Sequence, residues 1–252
     1  MAIASDLVHA KLEAQADLAE PLPTGSEAAA DIRYYADETA KADSIEGLRM
    51  TEAPAANCYW SVWRNVPIQF ISRDRKRVPD HWQTFGSRSS LLNRSPRRAT
   101  NPANAMLNYL YATLEAEARL AILAVGCDPR IGVIHADQEA RDPFACDLME
   151  VVRPQVDGLL LDTLATRTFR KVDFFERHDG VCRLMPPLTH RLAETGPSWR
   201  NALAPVVEDV AQRFINATPY NPSPGRMRGT RKARQEAPTV PKLPTRLTER
   251  NR

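Results

Sequence analysis

No run of apolar residues in this 252-residue chain approaches the ~18 that a membrane-spanning helix needs. The opening MAIASDLVHAKLEAQ has neither the basic start nor the apolar block of a secretory signal. Membrane insertion and export are therefore not expected, and the cytoplasm is the expected compartment. Cysteine is scarce: Cys58, Cys127, Cys146 and Cys182 are scattered, with no CxxC spacing. That excludes a disulfide frame or a zinc knuckle and suits reduced thiols. No segment reads as a convincing strand, and no stretch repeats. What remains is an all-α reading, with enough chain to bury a sizeable core.

Charge is present but unevenly placed. The net charge is only +3, yet Arg226 to Arg252 holds nine Lys/Arg against two Asp/Glu, a local +7. A second basic stretch runs from Arg73 to Arg98. It includes Arg73, Arg75, Lys76, Arg77 and Arg88, with Trp82 and Phe85 between them. Cations interleaved with aromatics suit a phosphate backbone and unstacked bases. A solvated loop has the same composition, and composition does not choose between the two.

Helical signals fill most of the chain before residue 215. SDLVHAKLEAQADLA offers Ser5-Asp6 as a cap and Leu7, Leu12 and Leu18 as an apolar stripe. Ser44 and Glu46 open a helix that carries Tyr59, Trp60 and Trp63. Residues 72–100, broken by Pro79, Gly86 and Pro96, are expected to be an irregular loop. In NPANAMLNYLYATLEAEARLAILAVG, Asn101 is the expected cap, Pro102 fits the first turn and Gly126 ends the helix. Leu107, Leu110, Leu114, Ala118, Ala121 and Val125 give it one apolar face. CDLMEVVRP and VDGLLLDTLATRTFRK predict two further helices, and PSWRNALAPVVEDVAQRFI the last. The organisation expected is a helical domain over 1–215 and a disordered Pro/Arg-rich basic tail over 216–252.

Four polar residues stand out. Asp147 and Glu150 are three apart, so a helix puts both on one face. Arg153 lies within reach of Glu150 and could simply neutralise it. His135 precedes a polar loop. Glu117 borders the apolar stripe of the long helix with no cation in helical reach, so it needs a partner elsewhere. Glutamate, histidine and a carboxylate pair make an oxygen-rich set with one imidazole, which suits Mg²⁺ or Mn²⁺ better than Zn²⁺. Chance surface polarity is the competing reading.

The segment from Asn101 to Pro154 resembles the core of the CRISPR-associated adaptation endonuclease, the integrase subunit that inserts new spacers into CRISPR arrays. Asn108, Tyr109 and Tyr111 lead to Glu117, GCDPRIGVIH supplies a loop to His135, and DLMEVVRP supplies Asp147, Glu150 and Arg153-Pro154. SIEGLRMTEAPAANCYW, RVPDHW, PLTHRLAETGPSW and PTRLTERNR also resemble the family. The resemblance implies a helical catalytic domain and a metal-dependent DNA endonuclease and integrase. Glu117, His135 and Glu150 are then the expected ligands of Mn²⁺ or Mg²⁺. Asp147 is expected as a further ligand or as a carboxylate behind them. Arg73, Arg75, Lys76, Arg77 and Arg88 are expected on the DNA backbone, and Trp82 stacked at a splayed end.

The implied partners are double-stranded and branched DNA, a small ferredoxin-like adaptation protein, and a second copy of the chain. Family members usually begin with a β-rich dimerisation domain, and this sequence starts about where the helical domain does. A weakened dimer, with an apolar patch near residues 5–20, is the expectation. A non-catalytic DNA-binding remnant and a helical adaptor are the alternatives.

Overall fold

The computed structural model describes residues 1–88, 98–135 and 142–217. Among these the fold is all-α apart from one small hairpin, as the patterning predicts. Helices α1 (Ala2–Ala19), α2 (Gly25–Glu38) and α3 (Ile45–Trp63) form the first half, followed by a short α4 (Ser72–Arg75). The long α5 (Pro102–Ala124) and α6 (Pro143–Thr166) form the centre. Strands β1 (Phe174–Glu176) and β2 (Cys182–Leu184), then α7 (Pro186–Ala193) and α8 (Gly196–Ala217), complete the order. The expected basic tail from Arg226, and residues 89–97 of the second basic stretch, lie outside the described residues.

Local chemistry sets several boundaries. Ser44 accepts a hydrogen bond from the Gly47 amide and starts α3. Asn101 accepts one from the Asn104 amide, with Pro102 in the first turn of α5. Both are N-cap arrangements that satisfy otherwise orphaned donors. After α5, Gly126 adopts φ +80, a left-handed backbone that favours glycine.

Elsewhere tertiary structure overrides the local signal. Helix α1 begins at Ala2 rather than at Ser5, because the Ser5 hydroxyl donates across to the Thr39 carbonyl at 3.0 Å. The two helices expected on either side of Pro154 are one, α6. The missing backbone bond there, a penalty of about 3 kcal/mol in an isolated helix, is tolerated in a helix that is buried through this stretch, Val152, Pro154 and Val156 included. The basic loop contains α4 and a 3-10 turn at Asp80–Trp82. The antiparallel hairpin pairs Phe174 with Leu184, Phe175 with Arg183 and Glu176 with Cys182. Strands of three residues are too short to show alternation in the sequence.

One core joins the helices. α1 packs on α2, α3 and α6, while α5 packs on α6 and α8. Leu12, Ile32, Leu48, Tyr59, Trp63, Met106, Leu107 and Leu110 are fully buried. Gly158 admits α1 to the side of α6, since a Cβ there would lie 3.3 Å from Leu18 Cδ2. The apolar patch expected on residues 5–20 is not present, because Leu7, Val8 and Leu12 face the core and no large hydrophobic residue of that span is exposed.

Candidate metal centre

The packing of α1, α3 and α6 brings together residues far apart in sequence. Glu150 on α6 is 6% exposed, and its Oε2 lies 2.7 Å from the ammonium of Lys11 on α1. Glu52 on α3 contacts the same ammonium. Three helices therefore meet at two carboxylates around one cation. Glu150 Oε2 is buried, and the Lys11 ammonium is the cation that compensates it. Its other oxygen, Oε1, accepts from Arg153 Nη1 at 2.5 Å. Burial alone would push the Glu150 carboxyl up. The charges of Arg153 and then Lys11 outweigh it and hold the group at about 2, so it is ionised.

A chain of buried contacts fixes Arg153 in turn. Its guanidinium stacks over the Tyr111 ring at 4.3 Å, and Tyr111 donates to Asp157. Tyr59 donates to the other Asp157 oxygen at 2.9 Å. Asp157 is wholly buried, so the two hydroxyls satisfy a carboxylate that water does not reach. Arg88 lies over Trp60 at 4.7 Å and Tyr111 at 5.6 Å.

His135 arrives from the loop after α5. Asp147, fully buried on α6, accepts from the Val133, Ile134 and His135 amides at 2.5, 2.9 and 3.1 Å. It also binds His135 Nδ1 at 2.6 Å. Arg49 on α3 braces the loop from the other side, donating to the Ile134 carbonyl at 2.6 Å. With Nδ1 donating to Asp147, the lone pair of the imidazole falls on Nε2. Asp147 thus serves the imidazole and its loop. The His135 pKa is raised, first by the Asp147 hydrogen bond, against burial, with the charges of Glu150, Asp147 and Glu52 adding.

The expected ligand Glu117 is elsewhere. It forms a two-pronged pair with Arg200 on α8, Oε2 to Nε at 2.8 Å and Oε1 to Nη2 at 3.1 Å. It packs beside Gly196 and does not line the cleft that His135 and Glu150 share. A step of two residues, about 200° around a helix, decides this, because α5 turns its Glu115 toward that cleft and Glu117 toward α8. The partner that Glu117 requires is therefore a cation on another helix.

Glu52 is the residue that sequence reasoning misses. It lies in the MTEAPAANCYW segment, in a small-residue run much like that around Glu117. The one signal for it is on α1, where Lys11 and Gln15 continue the stripe of Leu7 at four-residue spacing. Two polar side chains on a core stripe imply buried partners.

The donor types fit a hard divalent ion: two carboxylates and an imidazole nitrogen. Among the described residues no three His, Cys, Asp or Glu side chains converge on a common point as they stand. Lys11 lies between Glu52 and Glu150, and the group closes only if the ammonium moves.

Of the expected DNA contacts, Arg73, Arg75, Lys76 and Arg77 are exposed on and just after α4. Trp82 is 2% exposed and packs against Phe174, so it cannot stack on a base. Arg88 lines the cleft beside His135 and Glu150 instead of the open basic surface. That cleft has a volume of about 630 Å³ and is also lined by Asn108, Tyr109 and Arg183.

Residues 1–195 match the family described as CRISPR associated protein Cas1. The chain is 37% identical over 147 residues to CRISPR-associated endonuclease Cas1 2 of Rhodospirillum rubrum, covering 58% of this chain and 38% of that protein. It thus spans well under half the length of that relative. Its fold is similar to a casposase bound to integration product, with TM-score 0.70 and 22% identity over 86% of this chain and 64% of the casposase. It is also similar to a chain of a partial Cas6-RT-Cas1–Cas2 complex, with TM-score 0.66 and 16% identity over 85% of this chain and 65% of that one. Helical architecture, ordered motifs and a match through most of the described residues agree: the chain belongs to the CRISPR-associated Cas1 family.

Proposed function

We propose that this chain is the catalytic part of a metal-dependent DNA endonuclease and integrase of CRISPR spacer acquisition. The observation that carries the reading is the convergence of Glu52 and Glu150 on one buried cation, with His135 set beside them by Asp147. Glu52, Glu150 and His135 Nε2 would hold Mn²⁺ or Mg²⁺, in place of the set built on Glu117. Such an ion supplies Lewis acidity at a phosphodiester and lowers the pKa of an attacking hydroxyl.

The chain's own residues do the rest. Asp147 holds the imidazole in the tautomer that leaves Nε2 open, and Arg153 keeps Glu150 ionised and oriented. Arg88 brings a guanidinium to the cleft, where Nη1 has no hydrogen-bond partner. That nitrogen is buried, and the guanidinium is held over Trp60 and Tyr111, so Arg88 adds positive charge to the cleft wall. Arg73, Arg75, Lys76 and Arg77 extend a cationic surface for the duplex.

Double-stranded and branched DNA are the proposed substrates. The names of the structural relatives support DNA and a Cas2 protein as partners. A small ferredoxin-like adaptation protein and a second copy of the chain are the proposed protein partners. No helix among the described residues is long and apolar enough to cross a membrane. The adaptor and remnant alternatives are not favoured, because the carboxylates are retained in a buried, braced arrangement.

Strand transfer and disintegration of branched DNA in Mn²⁺ test the assignment. Glu52→Gln and His135→Ala should each reduce the rate by at least about a hundredfold. Glu117→Gln should stay near the wild-type rate. Wild-type rates in Glu52→Gln, or loss of activity only in Glu117→Gln, would overturn the ligand set.

A further inference from the structure

Lys11 is 5% exposed and lies on the inner face of α1, an unusual place for an ammonium. It forms ion pairs with Glu52 and Glu150, the two carboxylates proposed as ligands. Removing an ammonium from water is unfavourable unless opposite charge surrounds it. Here two carboxylates supply that charge, and in exchange the ammonium holds them together across three helices. The oxygens that face Lys11 are those a divalent ion would need.

We infer that Lys11 is the resident counter-ion of the metal site: it preorganises Glu52 and Glu150 without metal and is displaced when a divalent ion binds. An ammonium and a divalent ion cannot share the space between the same two oxygens, since like charges at that distance repel strongly. A second observation shows where the ammonium can go. Gln15, one helical turn further along the same buried face, leaves Oε1 buried without a hydrogen-bond partner. A side chain at the i,i+4 position is within reach of a rotated lysine. Lys11 thus sets metal affinity by competition. It is a positioning residue, not a ligand. The inference rests on the Glu52–His135–Glu150 site proposed above.

The test is Mn²⁺ titration by calorimetry, paired with thermal melting in EDTA and in saturating Mn²⁺. Lys11→Met should bind Mn²⁺ about tenfold or more tighter than wild type, because the competing unit charge is gone. It should also melt lower in EDTA, where two buried carboxylates face each other uncompensated, and recover most of that loss in Mn²⁺. Lys11→Arg, which keeps the charge, should melt closer to wild type in EDTA and bind Mn²⁺ no tighter. A Lys11→Met protein that folds only with Mn²⁺ supports the inference. One that binds Mn²⁺ no tighter than wild type, or that fails to fold with or without metal, overturns it and leaves Lys11 a structural ion-pair residue. Failure of the site itself looks different: neither wild type nor Lys11→Met would then give a binding heat that His135→Ala abolishes.

Discussion

His135 is subject to two demands that pull its protonation in opposite directions. The Asp147 hydrogen bond, with Glu150 and Glu52 nearby, favours the imidazolium and raises the pKa despite burial. A metal ion needs the neutral ring. For a histidine whose folded pKa lies above the unfolded value of about 6.5, the stabilisation is complete below that value and is lost as pH rises through the folded pKa. In EDTA the urea midpoint of the wild type should therefore fall as pH rises above about 6.5, and His135→Ala should flatten that part of the profile. Mn²⁺ affinity should rise over the same range. Identical pH profiles for the two proteins in EDTA would mean that His135 does not titrate as placed. The residue itself is readable from sequence, as are Asp147 and Glu150, because helical spacing and a short loop bring them together. Glu52 is not. Its meeting with Lys11 and Glu150 depends on how α1, α3 and α6 pack, which no local spacing records.

Elements form where the sequence marks their ends and merge where packing is stronger than the mark. Ser44 and Asn101 act within three residues, so their caps are legible; Pro154 marks a break in the sequence and is absorbed within α6. The Asn101 cap also does something that spacing does not show. Its amide nitrogen donates to the Phe85 carbonyl at 2.7 Å, tying the start of α5 to the segment that leads into the cleft. Asn101→Ala should destabilise the protein by about 1–3 kcal/mol, since it removes both a cap and a buried hydrogen bond. Asn101→Asp keeps the cap acceptor but not the donor to Phe85, so it should recover only part of that loss. Urea unfolding of the two variants measures the division. Full recovery by Asn101→Asp would show that the tie to Phe85 contributes nothing. The hairpin and the burial of Trp82 belong to the same class of long-range outcome, since Phe174 on β1 supplies the ring that covers the indole.

Across the whole molecule, the proposed chemistry lies in a buried, nearly neutralised cleft, while the open positive charge lies at α4. Lys11, Arg153 and Arg88 are committed to carboxylates or aromatic rings. Arg73, Arg75, Lys76 and Arg77 project into solvent. The acid within that run, Asp74, is buried; it accepts from the Lys171 amide at 2.9 Å, which anchors α4 to the body, and its other oxygen lies 3.8 Å from Arg73 Nε. This separation predicts two distinguishable failures. Neutralising the four α4 cations should weaken duplex binding. The slope of log K against log salt should fall by up to about 0.9 for each phosphate that the protein no longer neutralises. Mn²⁺ affinity should stay unchanged, because none of the four touches Glu52, His135 or Glu150. Glu52→Gln should do the reverse, reducing Mn²⁺ affinity with the salt slope intact. Filter binding over a salt series, beside calorimetry with Mn²⁺, reads both quantities on the same proteins. If the fourfold variant kept the wild-type slope, the α4 surface would be ordinary solvated charge, and the duplex would have to be held through the cleft and other cations.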